Sequence, residues 1–415
     1  MSPILQIPLD IPNVTIETME TTTQGHRIIT VRSTVLGTDC HQCGQEITKM
    51  YGDDRDIVLR HLPILGRKTF IRLHPVRYQC QSCRWSPTTT QKLSWYTSRC
   101  FCTKSFENQI LLQLINGTVK DVCIKEDIGY EAVMGIIDRH LSRTIDWTPF
   151  TYLDIIGIDE IALKKGHKDF VTIVTARIDD ETIILGVLKD RKKETVKAFL
   201  HTIPRHLRQT VHSVCCDMYD GFIYAAKEVF GKRMKIIIDR FHVSKLYRKG
   251  LDNLRKKELR RLKETLSEEE YKHLQGTMWA LRKAETDLSN EDDEVLAQLF
   301  EYSPQLELAY DFCQELTGIF NQDMTKHQGK KKLKDWMKRV AESELTCFNN
   351  FRKTLSNWLD EIANYFISRL TSGFVEGLNN KIKVIKRRCY GILNPTHLFQ
   401  RIHLDLSGYS MFAYG

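Results

Sequence analysis

The stretch Asp154-Ile155-Ile156-Gly157-Ile158-Asp159-Glu160-Ile161-Ala162-Leu163 is apolar enough for a buried strand and carries an acid pair near its end. A short apolar run of this kind is how a strand covered on both faces reads. Working outward, residues 170–177 and 182–188 read as neighbouring strands joined by the turn Asp179-Asp180. Residues 194–203 read as a helix, 211–216 as a strand, 219–230 as a helix ended by Gly231, and 234–238 as a fifth strand. Strand, strand, strand, helix, strand, helix, strand predicts a mixed five-stranded sheet with covering helices, an α/β layer. It is also the element order of an RNase H-like domain.

Residues 243–368 lose all strand character. Leu, Trp and Phe recur there at helical spacing amid dense charge, Pro304 is the only proline, and Trp279, Trp336 and Trp358 are expected in the core. This predicts a large all-helical insertion, after which one helix starts near Thr371 and a short one follows Pro395. Before the sheet, Phe106, Ile110, Leu111 and Leu114 form one apolar face of a helix. A second helix at 118–127, the turn Ile128-Gly129 and a third helix at 130–141 complete a helix-turn-helix pattern. Trp147-Thr148-Pro149 reads as a linker. The expected domains are therefore 1–35, of no assigned role; 36–104, zinc-binding and basic; 105–146, the helix-turn-helix; 150–242, the first part of the RNase H-like core; 243–368, the insertion; and 369–415, the final core helix and tail. The fold class is multidomain, α+β followed by α/β.

A chain of 415 residues is too long for one ordinary core. Its 42% hydrophobic and 27% charged residues describe a globular protein, and no apolar run approaches the roughly 18–20 residues that span a bilayer. The start MSPILQIPLDIP has neither the basic region nor the apolar stretch of a signal peptide, so a cytoplasmic location without a membrane partner is expected. The net charge of +9 is uneven: residues 60–104 hold nine Lys or Arg and no acid, interleaved with Phe70, Tyr78, Trp85, Trp95, Tyr96 and Phe101. Such a one-sign, aromatic stretch is the footprint of a polyanion-binding surface, with a solvated basic face as the plain alternative. Candidate DNA contacts are Arg60, Arg67, Lys68, Arg72, Arg77, Arg84 and Lys92, with Tyr130, Glu131 and Arg139 from the third helix.

Among twelve cysteines, Cys40-x-x-Cys43 and Cys80-x-x-Cys83 form two close pairs. Two residues between thiolates let both sulfurs face one ion, and two such knuckles complete a tetrahedral four-cysteine site for one structural Zn²⁺. Gly44 suits the turn of the first knuckle, and the spacer leaves room for a hairpin. His41, His61 and His74 are weaker ligand candidates, and Cys100-x-Cys102 is awkwardly spaced for a single ion.

Asp159 ends an apolar strand, where a carboxylate is costly unless it is paired or bound to a metal. Asp217 closes the strand Val214-Cys215-Cys216 directly before a helix. If the two strands are neighbours, both carboxylates can converge on shared cations. Glu376 lies in the first turns of a helix whose inward stripe is Phe374, Leu378, Ile382 and Ile385. Glu376, Asn380, Lys383 and Arg387 line another face, a surface suited to a phosphodiester beside a metal. Three such carboxylates can hold two Mg²⁺ ions, or Mn²⁺ in their place, for in-line displacement at phosphorus. Strand-end Asp residues also cap following helices. Asp220 and Asp239 are rivals on that ground, and spacing alone does not choose among them.

The chain resembles the DDE transposases of bacterial insertion sequences in the ISL-three group over nearly its whole length. The resemblance rests on Cys40-x-x-Cys43-Gly44, on Arg77-Tyr78-Gln79-Cys80-Gln81-Ser82-Cys83 and on the helices at 105–141. It continues through Gly157-Ile158-Asp159-Glu160, Asp217-Met218-Tyr219 and Asp239-Arg240-Phe241-His242-Val243, and ends with Gly373-Phe374-Val375-Glu376-Gly377-Leu378-Asn379-Asn380-Lys381-Ile382-Lys383 and Gly391. It implies a triad of Asp159, Asp217 and Glu376, with Asp239 and His242 supporting that triad or positioning DNA. It further implies recognition of terminal inverted repeats, 3′-end cleavage, strand transfer into target DNA, and a homodimer that joins two element ends. Two other readings are an RNase H-like nuclease or resolvase without strand transfer, and a non-catalytic regulator working through zinc knuckle and helix-turn-helix.

Overall fold

A computed structural model describes residues 9, 11–162, 170–283, 285–370 and 373–413, without the side chains of 285 and 373–376. Two compact units emerge: residues 1–142 with 400–415, and residues 143–399.

The second unit is built on a five-stranded sheet in the order Glu181–Leu188, Phe170–Ile178, Ile155–Ala162, Ser213–Cys216, Lys235–Ile238. The first three strands pair antiparallel and the last two add in parallel, so the sheet is mixed as predicted. Asp179 and Asp180 make the hairpin turn with positive φ of 49° and 66°, a conformation Asp tolerates. Successive side chains alternate between faces. Ile156, Ile158, Val214, Cys216, Ile236 and Ile238 enter the large core, beside residues of the helices Lys193–Thr202 and Asp220–Phe230. Ile155, Cys215 and Ile237 form a small cluster on the opposite face.

After Ile238 the chain turns into the 26-residue helix Arg240–Thr265, capped by the Asp239 carboxylate accepting from Phe241 N at 3.1 Å. Helices Asn290–Tyr302, Pro304–Asn321 and Lys326–Glu342 follow, and strands are absent among the described residues of this block. Trp336 is fully buried and its indole N–H donates to Phe312 O at 3.0 Å. Trp358 is half-buried against Tyr224, but Trp279 is 64% exposed, contrary to expectation. Helical spacing reports that a residue lies on a stripe, not that another element covers it.

Helix Lys326–Glu342 starts with a capping box in which Thr325 and Gln328 bond reciprocally. Thr325→Ala removes the acceptor for Gln328 N. It is expected to cost about 1 kcal/mol, seen as a lower urea midpoint at unchanged slope.

The first unit contains a four-stranded sheet, in order Val14–Thr21, Arg27–Ser33, Arg67–Leu73, Ile57–Ile64. Residues 1–35, given no role from sequence, thus supply two strands to a sheet completed by the hairpin between the cysteine pairs. Three helices follow, Lys104–Leu114, Val119–Glu126 and Tyr130–His140, with Asp127 in the left-handed conformation closing the second. The last helix, Pro395–Phe412, has 18 residues and is not short. Residues from 400 onward, assigned from sequence to the core, return to the first unit: Leu404 and Phe412 join the three-helix core, and Gln400 donates to Asp138 and to Leu141 O. No described helix is long and apolar enough to cross a membrane.

Candidate functional site

Parallel pairing sets Ile158 beside Cys216 and Cys216 beside Ile238. The residues that follow, Asp159, Asp217 and Asp239, therefore stand in register across three adjacent strands. By the period of two they continue the Ile155, Cys215, Ile237 face. Asp217 is half-buried, and burial pushes its carboxyl up to about 6; the neighbouring charges of Glu160 and Asp159 push the same way, against His242. Burial likewise raises Asp159, against the Glu160 N–H, which donates to its Oδ1 at 2.7 Å, and against His242. Carboxyls held above their ordinary range by burial and by neighbouring acids are candidates for a functional site.

The rival aspartates separate by environment. Asp217 accepts from Tyr219 N at 3.0 Å, ahead of the helix Asp220–Phe230, whose N-cap Tyr219 has no side-chain cap. Asp220 is exposed in that helix's first turn. Asp239, 3% exposed, caps the next helix and lies 3.8 Å from His242 Nε2.

Helix Gly373–Arg388 packs on the strand Ile155–Ala162, with Leu378, Ile382 and Ile385 buried as the stripe predicted. The side chains of Phe374 and Glu376 lie outside what the structure describes. Asn380, Lys383 and Arg387 share an exposed face, Lys383 Nζ donating to Asn380 Oδ1 at 3.4 Å. The amide that reaches the carboxylates is the preceding one: Asn379, 4% exposed, donates from Nδ2 to Asp159 Oδ2 at 2.5 Å, while its buried Oδ1 has no partner among the described residues. Arg191 is a second residue that the sequence reading missed. It bonds Glu160 at 2.8 Å and stacks over Phe170 and Tyr219 at 5.2 and 4.9 Å. Its only sequence signal is its place just beyond a predicted strand.

In the first unit, Cys40, Cys43, Cys80 and Cys83 bring their sulfurs within 4.8 Å of one another, the only such group of three or more ligand atoms among the described residues. Cys40 Sγ is 3.9 Å from Cys83 Sγ, and Cys43 Sγ is 3.8 Å from Cys80 Sγ. A zinc ion with bonds of about 2.3 Å needs tetrahedral sulfur edges of about 3.8 Å, so the cage has the right size. Backbone N–H groups of Cys43 and Gln42 hold the Cys40 thiol down to about 6, and Gly44 turns the knuckle at φ 71°. His41, His61 and His74 bond instead to Thr89, Thr103 and Asp56, and Cys102 is buried in the helical core.

The basic stretch is less uniform in space than in sequence. Arg60 is a core residue, 7% exposed, held between the rings of Phe70 and Phe106 and 3.8 Å from Glu126, so it is withdrawn as a DNA contact. Lys68 pairs with Asp127 at 2.7 Å and Arg72 with Glu20 at 3.8 Å, while Arg77 donates to Thr88 at 2.5 Å. Arg139 and His140 hold the buried Glu107, whose carboxyl burial raises but their hydrogen bonds bring below its ordinary range. Tyr78, Trp95 and Tyr96 are buried core. Arg67, Arg84, Lys92, Tyr130 and Glu131 are exposed, Arg84 lying over the exposed Trp85.

Residues 156–402 match the family model described as Transposase, the DDE transposases of the ISL3 (ISL-three) group. Residues 37–83 match the zinc-finger of transposase IS204/IS1001/IS1096/IS1165. The chain is 24% identical, over 89% of each chain, to the transposase for insertion sequence element IS1001 of Bordetella parapertussis. It is 23% identical, over 91% of this chain and 87% of the relative, to the transposase for insertion sequence element IS1557 of Mycobacterium tuberculosis. A solved structure, the Drosophila P element transposase strand transfer complex, aligns with 75% of this chain and 93% of that chain, at 12% identity and a TM-score of 0.41. The matched family model spans more than half of the chain, which belongs to the ISL3 family of transposases.

Proposed function

We propose that this transposase binds the terminal inverted repeats of an insertion sequence and cuts and joins DNA with the triad Asp159, Asp217 and Glu376. The observation that carries the reading is the in-register placement of Asp159 and Asp217 on adjacent strands, with Asn379 bonding Asp159 from the helix that also holds position 376. The strand order of the sheet supports an RNase H-like core, and the three helices at 104–140 support a helix-turn-helix that reads DNA. Two divalent ions, Mg²⁺ or Mn²⁺, held by the three carboxylates would activate the attacking oxygen and stabilise the leaving one. All-oxygen donors fit such hard cations.

The chain's own residues set up that chemistry. The sheet register fixes the spacing of the two aspartates. Glu160 N–H and Asn379 Nδ2 each take one lone pair of Asp159, orienting its carboxylate. Such outer partners are typically worth 10–100-fold in metal affinity. Asn379→Ala should therefore weaken Mn²⁺ binding about 10–100-fold, measured by titration calorimetry; unchanged affinity would remove Asn379 from the site. Asp239 and His242 complete the charge pattern beside Asp159, His242 acting on Asp217 as well, and Asn380, Lys383 and Arg387 offer a basic face to the phosphodiester. One zinc in the four-cysteine cage holds the DNA-binding part in shape, and two copies would pair the element's ends.

The test is a Mg²⁺- or Mn²⁺-dependent assay with end-containing DNA and a separate target. Wild type is expected to give joined products, and Glu376→Gln none. Hydrolysed ends without joining would favour a nuclease, and a Glu376→Gln protein with every DNA phenotype intact would favour a non-catalytic regulator.

A further inference from the structure

A groove of about 550 Å³ lies within the helical insertion, between the start of the helix Arg240–Thr265 and the segment from Met278 to Arg282. Its floor is apolar: Leu251 and Leu281 are buried, and Met278 is half-buried. Phe241 stands in its wall yet is 53% exposed. An aromatic side chain this exposed loses the burial that ordinarily holds it inside a protein. Lys245, Arg248 and Lys249 line the same groove. The one acid there, Asp252, is already engaged by Arg255 at 2.8 Å and Lys256 at 2.7 Å, so the groove is left with surplus positive charge. Lys245 and Lys249 have no acidic partner among the described residues.

We propose that this groove binds one unpaired nucleotide of a DNA strand, the base against Phe241 and the phosphate on Lys245 and Lys249. An exposed ring beside cations over an apolar floor matches the two parts of a nucleotide, a flat π-face and an anion. In a duplex both faces of a base are covered by its neighbours, so only an unstacked base can offer a face to the ring. The groove also opens close to the carboxylates in sequence and space. Phe241 follows Asp239, the third in-register strand-end acid, by two residues at the start of the same helix. A strand held at the carboxylates could therefore place a neighbouring nucleotide in the groove. The inference rests on the DNA-processing reading for its ligand, but not on the triad.

The test uses the full-length protein, without added divalent metal, and an oligothymidine carrying one 2-aminopurine, whose fluorescence falls when it stacks on an aromatic ring. Wild type is expected to quench the probe. Phe241→Ala should abolish the quenching and weaken binding roughly tenfold, the scale of a lost base stack. Phe241→Trp should keep both. Lys245→Ala combined with Lys249→Ala should weaken single-strand binding while the bound probe stays quenched. A fully paired duplex of equal length should be bound by every variant within about twofold of wild type, which also reports that they are folded. Unchanged quenching in the Phe241→Ala variant, or equal losses for duplex and single strand, would overturn the proposal. Failure of the triad reading would appear elsewhere, as cleavage retained by Asp159→Asn protein, with the quenching results unaffected.

Discussion

Asp217→Asn is expected to lower DNA cleavage and joining by at least about a thousandfold, the several kcal/mol that divalent-ion catalysis supplies, while making the metal-free protein more stable at neutral pH. Both effects come from one property. Burial holds the Asp217 carboxyl at about 6 against an ordinary 3.8, so folding at pH 7 has to keep a charge in a place that disfavours it. An acid raised in the folded state stabilises below its unfolded value, and that contribution disappears as the pH climbs through about 6. Neutral asparagine keeps the shape without the charge. At about 1.4 kcal/mol per pKa unit, the gain should be about 1–3 kcal/mol at pH 7 and should vanish near pH 4. Thermal melts of metal-free wild type and variant at the two pH values measure it. A variant no more stable at pH 7 than at pH 4, relative to wild type, would mean that the carboxylate is not held against its own charge. Added Mn²⁺ should reverse the order, stabilising wild type alone, because only the intact site binds the ion in the native state.

Cys80→Ser should release the zinc and unfold the segment around the cysteine cage. Cys80 is fully buried, its N–H donates to Pro87 O at 2.9 Å, and it closes the knuckle that joins the strands Val76–Gln79 and Thr88–Thr90. The local hydrophobic cluster holds little more than Ile47, Val76 and Tyr78 besides the cysteines themselves. That core is too small to stand without the roughly 10–16 kcal/mol a structural zinc contributes in small zinc modules. Metal analysis should find about one zinc per wild-type chain and none in the variant, with DNA-end binding lost. The second unit has its own core around Trp336 and should keep its thermal transition. A Cys80→Ser protein that retains stoichiometric zinc would contradict the ligand set.

The strands of the second unit were legible because each is an apolar run of ordinary strand length bounded by turn residues, and the hairpin turn Asp179-Asp180 named its own conformation. The cysteine cage was legible because its spacing is itself a geometric statement. Asn379 was not. Positions 379 and 380 follow 376 by three and four residues, and a period of 3.6 admits both to the same side of the helix. Only docking on the strand Ile155–Ala162 turns one amide inward and leaves the other in water. Arg60 failed for a related reason. A run without acids looks like a free basic surface, but its neutralising partners, Glu126, Asp127 and Glu20, come from outside that run. The destination of residues 400–412 was equally hidden, since an amphipathic helix announces an apolar face but not the core it joins. The aspartates at the strand ends differ in surroundings that spacing does not announce: Asp239 caps a helix, Asp220 faces solvent, and Asp159 and Asp217 each carry a carboxyl that burial raises.

A structure of the protein bound to its element end with Mn²⁺, the ions located by anomalous scattering, would show whether the three carboxylates meet. Two ions are expected, held by Asp159, Asp217 and Glu376 next to the strand's reactive phosphate. A DNA-engaged complex with Glu376 turned away from both aspartates, or with the ions bound elsewhere, would contradict the triad.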